Sequence, residues 1–136
     1  MKNKKLFIIF ALLASFITSI KAQTEIVTMT TTAFSVSIGV SWTEKGNIFA
    51  NGVSLINGTN STSDKPYKQY VIPIDGKVTL IATDNARLTK LYCDSIQLTN
   101  LSLNECPYLI ELNCNYNNLA VLDLNKCTNL KKLSCS

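Results

Sequence analysis

The sequence predicts a mainly β chain in which an N-terminal antiparallel β cap leads into a short repeat solenoid of parallel strands. Three observations predict it. Leu and Cys recur with a 21-residue period from Leu88 to the end of the chain. Phe34–Trp42 alternates apolar and polar residues, as a strand with one buried face does. Asn51-Gly52 and Asp75-Gly76 each sit between apolar, β-branched runs, the pattern of tight β-hairpin turns.

The first 22 residues are a separate element. Lys2, Lys4 and Lys5 precede an apolar run, Leu6 to Ile20, and the small residue Ala22 precedes Gln23. A basic start, a short apolar core and a small-residue exit predict a secretory signal peptide over 1–22. The run has 15 residues, short of the about 20 that a membrane-spanning helix needs. No Cys follows the expected cut, so a lipoprotein anchor is not indicated. The mature chain is therefore expected to be secreted or displayed at the cell surface, without membrane insertion. The formal net charge of +4 belongs to this segment. Once Lys2, Lys4, Lys5 and Lys21 are removed, nine basic residues face nine acidic ones. A balanced chain gives no support for a nucleic-acid partner, which would need a clustered basic surface.

Residues 23–76 are expected to form the antiparallel β cap. After the Phe34–Trp42 strand, Ile48-Phe49-Ala50 and Val53-Ser54-Leu55 make a hairpin across Asn51-Gly52. Residues 57–66 are polar and turn-rich. Tyr70–Ile74 and Lys77–Ala82 make a second hairpin across Asp75-Gly76, with Pro73 suited to a strand edge or the end of pairing.

Residues 77–136 are expected to be the solenoid. The repeating unit reads LxxLxCxxxxLxxLxLxxCxx: Leu88, Leu91 and Cys93 recur as Leu109, Leu112 and Cys114, then as Leu130, Leu133 and Cys135. Leu98, Leu101, Leu103 and Cys106 recur as Leu119, Leu122, Leu124 and Cys127. One coil cannot bury such a stripe alone, whereas stacked coils bury it against each other. The spacing predicts strands near 89–93, 110–114 and 131–135, and a second set near 99–103 and 120–124. Stepping back one period maps Leu101 onto Leu80, Leu103 onto Ala82 and Cys106 onto Asn85. Lys77–Ala82 is therefore expected as the first solenoid strand, lying beside 99–103. The third unit stops after LxxLxC at Ser136, so the open, Leu-lined end is expected to be continued or covered.

With these residues in view, 88–136 resembles the 21-residue leucine-rich repeats of bacterial secreted and cell-surface proteins, which alternate LxxLxC and LxxLDL halves. Leu119-Ala-Val-Leu-Asp-Leu124 matches the second half, and Leu109-Ile-Glu-Leu-Asn-Cys114, followed by Asn117, matches the first. The pattern departs at Ile96, where the family usually has Asn, so the first turn is expected to lack a backbone-bonding side chain. The resemblance implies adhesion to proteins, cells or glycans.

The chemistry-bearing residues point the same way. Cys93, Cys114 and Cys135 replace an inward Leu, and Cys106 and Cys127 close turns. Stacked side chains run parallel and oppose disulfide geometry. The chain has no His and no CxxC pair, so neither a zinc site nor a His-based triad is expected. Buried packing thiols are the expected role. Asp94, Glu105, Glu111 and Asp123 fall at different phases of the repeat, and the five glycines form no phosphate-cradling loop. No catalytic, cofactor-binding or metal-binding residue is expected. The candidate binding surface is the outward set Lys90, Tyr92, Ile110, Glu111, Asn113 and Lys132, with Lys90, Glu111 and Lys132 in one charge column and Tyr92 beside Ile110 as an exposed contact. The expected function is that of an exported, non-enzymatic binding module whose partner is another protein or a surface glycan. The alternative is a targeting or spacer module of a larger secreted enzyme.

Overall fold

Ten strands arise in chain order: β1 (Thr24–Thr31), β2 (Val36–Thr43), β3 (Ile48–Ala50), β4 (Val53–Ser54), β5 (Lys68–Val71), β6 (Lys77–Ala82), β7 (Arg87–Tyr92), β8 (Leu98–Leu103), β9 (Glu111–Asn113) and β10 (Lys132–Ser134). They belong to a computed structural model that describes residues 24–43, 45–58 and 64–136. The chain is mainly β, and the described residues contain no helix. The expected signal peptide lies outside the described residues.

The strands form two five-stranded sheets, which we call A (order β4-β3-β6-β1-β8) and B (order β10-β9-β7-β2-β5). From β5 to β9 the chain crosses between them at every step: β5 in B, β6 in A, β7 in B, β8 in A, β9 in B. Alternating inward residues meet in one apolar cluster. Met29, Val78, Leu80 and Leu98 from sheet A pack with Ile38, Val40, Leu91 and Leu112 from sheet B, all at most 1% exposed. Burying such a side chain fully stabilises the fold by about 1.5–3 kcal/mol before chain entropy is counted.

Most pairings are antiparallel. Only β7–β9 and β9–β10 are parallel, and there the partners are Lys90, Glu111 and Lys132, then Leu91, Leu112 and Leu133. These rows step by the 21 residues of the sequence repeat. Sheet A departs from the expectation. Lys77–Ala82 does not pair with Leu98–Leu103, because β1 lies between them, antiparallel to both. Val27 pairs with Leu80 on one side and Leu103 on the other, so the row runs two residues out of step with the repeat. In sheet B, β2 is likewise antiparallel to both β5 and β7 and separates them. The β1–β2 arch is thus wedged between β5–β6 and β7–β8 in both sheets. A period in the sequence does not require that the segments it relates lie side by side.

The turns follow local chemistry. Asn51 (φ 48°) and Gly52 (φ 82°) are both left-handed, as a two-residue hairpin turn of the type that matches strand twist requires. Asp75 (φ 51°) and Gly76 (φ 71°) turn the same way, closed by the Ile74–Lys77 bridge. The expected second hairpin stops there. Beyond Pro73 the arms diverge, β5 joining sheet B and β6 sheet A.

The Phe34–Trp42 segment is buried on two faces rather than one. Val36, Ile38, Val40 and Trp42 face the core, while Pro66 and Tyr67 cover Gly39 and the Ser41 hydroxyl bonds Gly58 O at 3.4 Å. A Cβ on Gly39 would stand 3.1 Å from Pro66 Cβ, so a larger residue would have to push Pro66 back by a few tenths of an ångström. Asn57 fastens the cover: its Nδ2 donates to Trp42 O (2.9 Å) and its Oδ1 accepts from Trp42 N (3.0 Å). The strand also begins later than expected, since Phe34 is 98% exposed.

The expected strand near 120–124 is absent. That stretch has no strand assignment, and Leu119, Leu122 and Leu124 are only half-buried. Ile96 does not leave the first turn without side-chain bonds. Its N–H donates to Asn117 Oδ1 (3.1 Å), and its carbonyl accepts from the Thr31 hydroxyl (2.5 Å). The turn one coil later and the inserted strand β1 supply what Ile96 cannot.

Candidate binding face and strand-edge cleft

The outer face of sheet B carries the predicted surface residues. Side chains alternate across a strand, so Leu91 and Leu112 point inward while Lys90 and Glu111 point out. Lys90, Glu111 and Lys132 form the expected column. Glu111 lies 4.0 Å from Lys90 Nζ and 3.7 Å from Lys132 Nζ. Lys90 also bonds Asp64, at 3.0 Å to its carboxylate and 2.8 Å to its carbonyl. A second group lies alongside: Lys68 Nζ is 2.8 Å from Asp94, and Asn113 Nδ2 donates to the other Asp94 oxygen at 3.3 Å.

Tyr92 differs from its expected role. It is 7% exposed, its ring buried and its hydroxyl donated to Glu111. Burial, and then the Glu111 carboxylate, push its ionisation well above the ordinary phenol range. Nor does it stand beside Ile110, because the strand register places Asn113 opposite Tyr92. Ile110 is 39% exposed, and its carbonyl accepts from Lys131 N (2.8 Å) and Lys132 N (3.0 Å). The accessible part of the predicted set is therefore Ile110 and Lys132, with Lys90, Glu111 and Asn113 half-covered. This face can offer charges and hydrogen bonds to a polar ligand. Its carboxylates already have cationic or donor partners.

Four of the five thiols are buried. Cys93 and Cys114 are 0% and 3% exposed, Cys106 and Cys127 1% and 6%, and Cys135 is exposed; none is in a disulfide. Burial pushes the Cys106 thiol up to about 12 and Cys114 up to about 11. Cys106 Sγ donates to Ile26 O at 3.3 Å, which ties the turn after β8 to β1. Among the described residues, no group of three or more His, Cys, Asp or Glu side chains could hold a metal ion.

A second feature was not foreseen. Beside β8 lies an open cleft of about 390 Å³, lined by Asn100, Leu101, Ser102, Leu103, Val121 and Asp123 among others. It separates β8 from the 119–124 segment where two consecutive coils would otherwise meet. At its closed end Asn118 N donates to Leu98 O at 2.8 Å. No signal in the 21-residue pattern distinguishes this junction from the closed one in sheet B. The only hint is composition: Ala120 and Val121 replace the polar Thr99 and Asn100.

A further cleft of about 350 Å³ lies at the end of the sheets, between the 85–88 and 105–108 turns, where the Arg87 guanidinium sits 4.3 Å over the Tyr108 ring. Among the described residues, no helix is long and apolar enough to cross a membrane. Comparison with protein families, with curated proteins and with solved structures found no match.

Proposed function

We propose that this chain is an exported, non-enzymatic leucine-rich repeat binding module that attaches to another protein or to a surface glycan through the outer face of sheet B. The observation that carries the reading is the pairing of β7, β9 and β10 at the 21-residue offset of the sequence. Such stacking repeats one outward position down a column. It displays Lys90, Glu111 and Lys132 on rigid strands, and solenoids commonly bind through a face of this kind. The basic start, apolar core and small-residue exit of residues 1–22 support export. The absence of His from the whole chain favours binding over general acid–base chemistry.

Two measurements test it. The chain should leave a bacterial host with Gln23 as its new N-terminus. The exported chain, screened against arrays of extracellular proteins and glycans, should bind saturably, and Lys132→Glu should weaken that binding at least ten-fold. Retention of residues 1–22, turnover of an array substrate, or binding indifferent to Lys132→Glu would overturn the reading.

A further inference from the structure

We infer that the cleft beside β8 is a docking slot for an extended polypeptide strand from another protein, which adds to the open edge of sheet A. The inference rests on the binding-module reading but uses a different surface from the sheet B face.

The open edge can be read from the hydrogen-bond pattern. In an antiparallel ladder each residue points its N–H and C=O to one side, and the next residue to the other. Thr79 bonds Asn51 on the β3 side, through its carbonyl at 3.1 Å and its N–H at 2.9 Å. Val78 and Leu80 therefore face β1 and bond Met29 and Val27. Met29 and Val27 are also opposite Leu101 and Leu103 on β8, but have spent their backbone groups on β6. Leu101 and Leu103 thus direct their N–H and C=O away from β1, into the cleft. Among the described residues, no backbone bond from Leu101 or Leu103 crosses to the 119–124 segment; only Leu98 is bridged, by Asn118.

The molecule already contains one such insertion. At the preceding junction of sheet A, β1 lies antiparallel between β6 and β8, strands that the repeat would make neighbours. Its inward Val27 and Met29 are 0% exposed, and its Thr28 and Thr30 point the other way. The next junction repeats the arrangement with the place of the inserted strand open. Its inner wall is apolar, from Leu101 and Leu103, and its rim polar, from Asn100, Ser102, Asp123 and Lys126. An occupant that alternates apolar and polar residues meets both, as β1 does. Strand addition of this kind draws affinity from main-chain bonds and specificity from alternate side chains.

The probe is a free peptide with the sequence of β1, Thr24–Thr31, added to the full exported chain. Backbone amide hydrogen exchange, read by NMR, should slow at least ten-fold at Leu101 and Leu103 and stay unchanged at Leu112. Two peptides N-methylated on alternate amides serve as controls that leave the protein untouched. One set should abolish the slowing and the other spare it, because a strand presents alternate amides to one edge. The inference is overturned if Leu101 and Leu103 exchange as before at saturating peptide, if both methylated sets still bind, or if protection appears at β6 because the peptide displaces β1. It is also overturned if the two amides become protected by concentration-dependent self-association without peptide, which would assign the slot to a second copy. Failure here leaves array binding by the sheet B face intact, so the two readings fail separately.

Discussion

The two sheets treat the same repeat differently. In sheet B, β7, β9 and β10 pair in parallel in step with the 21-residue spacing of the sequence, and Leu91 and Leu112 are 0% and 1% exposed. In sheet A, the first junction is filled by β1 and the second is open along β8. The inward Leu stripes of the two half-units are nearly interchangeable in sequence. The difference lies in what else reaches the edge. Where backbone groups of neighbouring coils bond directly, side chains interlock and water is excluded. Where β8 and the 119–124 segment stand apart, the cleft reaches backbone and outward side chains, while Leu101 and Leu103 stay 4% and 5% exposed.

The strongest way to break this comparison is to place a charge on the equivalent inward Leu of each sheet. Leu112→Asp puts a carboxylate into a dry core and should cost more than about 4 kcal/mol, enough to abolish a cooperative thermal melt. Leu122 is half-buried and lines an open pocket of about 140 Å³ with Cys114, Leu119 and Cys135, so the charge of Leu122→Asp can reach water and should cost about 1–2 kcal/mol, leaving a melt at lower temperature. Equal losses from the two variants would mean that Leu122 is as dry as Leu112 in solution.

Asn117 joins the two coils and comes next. Its Nδ2 donates to Cys93 O (2.8 Å), Cys114 O (2.9 Å) and Asn115 O (3.3 Å), while its Oδ1 accepts from the N–H groups of Ile96 (3.1 Å) and Leu98 (3.0 Å). Asn117→Ala leaves several half-buried backbone groups without partners and should cost about 2–4 kcal/mol by denaturant titration. Asn57→Ala offers a contrast in the cap, where two bonds to Trp42 are lost, and should cost about 1–2 kcal/mol.

Much of this was legible from residue spacing. Leu and Cys periodicity located β7, β8, β9 and β10 to within a few residues, because an inward position in a stacked coil tolerates little else. Asn51-Gly52 and Asp75-Gly76 located their turns because few residues accept left-handed backbone. The insertion of β1 was not legible. Thr24–Thr31 carries an ordinary strand pattern, and pairing between residues 67 to 76 apart leaves no mark in either partner's sequence. Burial of Tyr92 was hidden for the same reason: its neighbours include the distant Gly39 of β2 and Glu111. Outward positions follow from periodicity, but whether a remote loop covers them does not.

The thiols sharpen the comparison through rates. Cys135 should react first with a thiol reagent, and Cys93 last. Cys127, at the end of the stood-off segment, should label before Cys106, which is held to Ile26 O at 3.3 Å. Reaction of Cys106 before Cys127 would place the looser junction on the wrong side. Alkali should act on the same groups. Burial raises the Cys106 thiol from the ordinary 9.0 to about 12, so the folded state favours the neutral form. That stabilisation is complete below about 9 and is lost as pH rises toward about 12, because the unfolded thiol ionises first. Stability measured by urea titration should therefore fall between these values, and Cys106→Ala should flatten the fall.

The smallest effect belongs to the outer face of sheet B, and its smallness is informative. Glu111 is 17% exposed and holds Tyr92, Lys90 and Lys132, so Glu111→Gln should cost about 1 kcal/mol. Lys132 is 71% exposed and 3.7 Å from Glu111; Lys132→Ala should cost only a few tenths of a kcal/mol, a difference that about 1 M salt erases by screening. A side chain so weakly tied to its own fold can exchange its internal partner for a ligand at little cost. A loss above about 1 kcal/mol for Lys132→Ala would mean that the column serves to staple β10 to β9, and would remove the reason for reading this face as a binding surface.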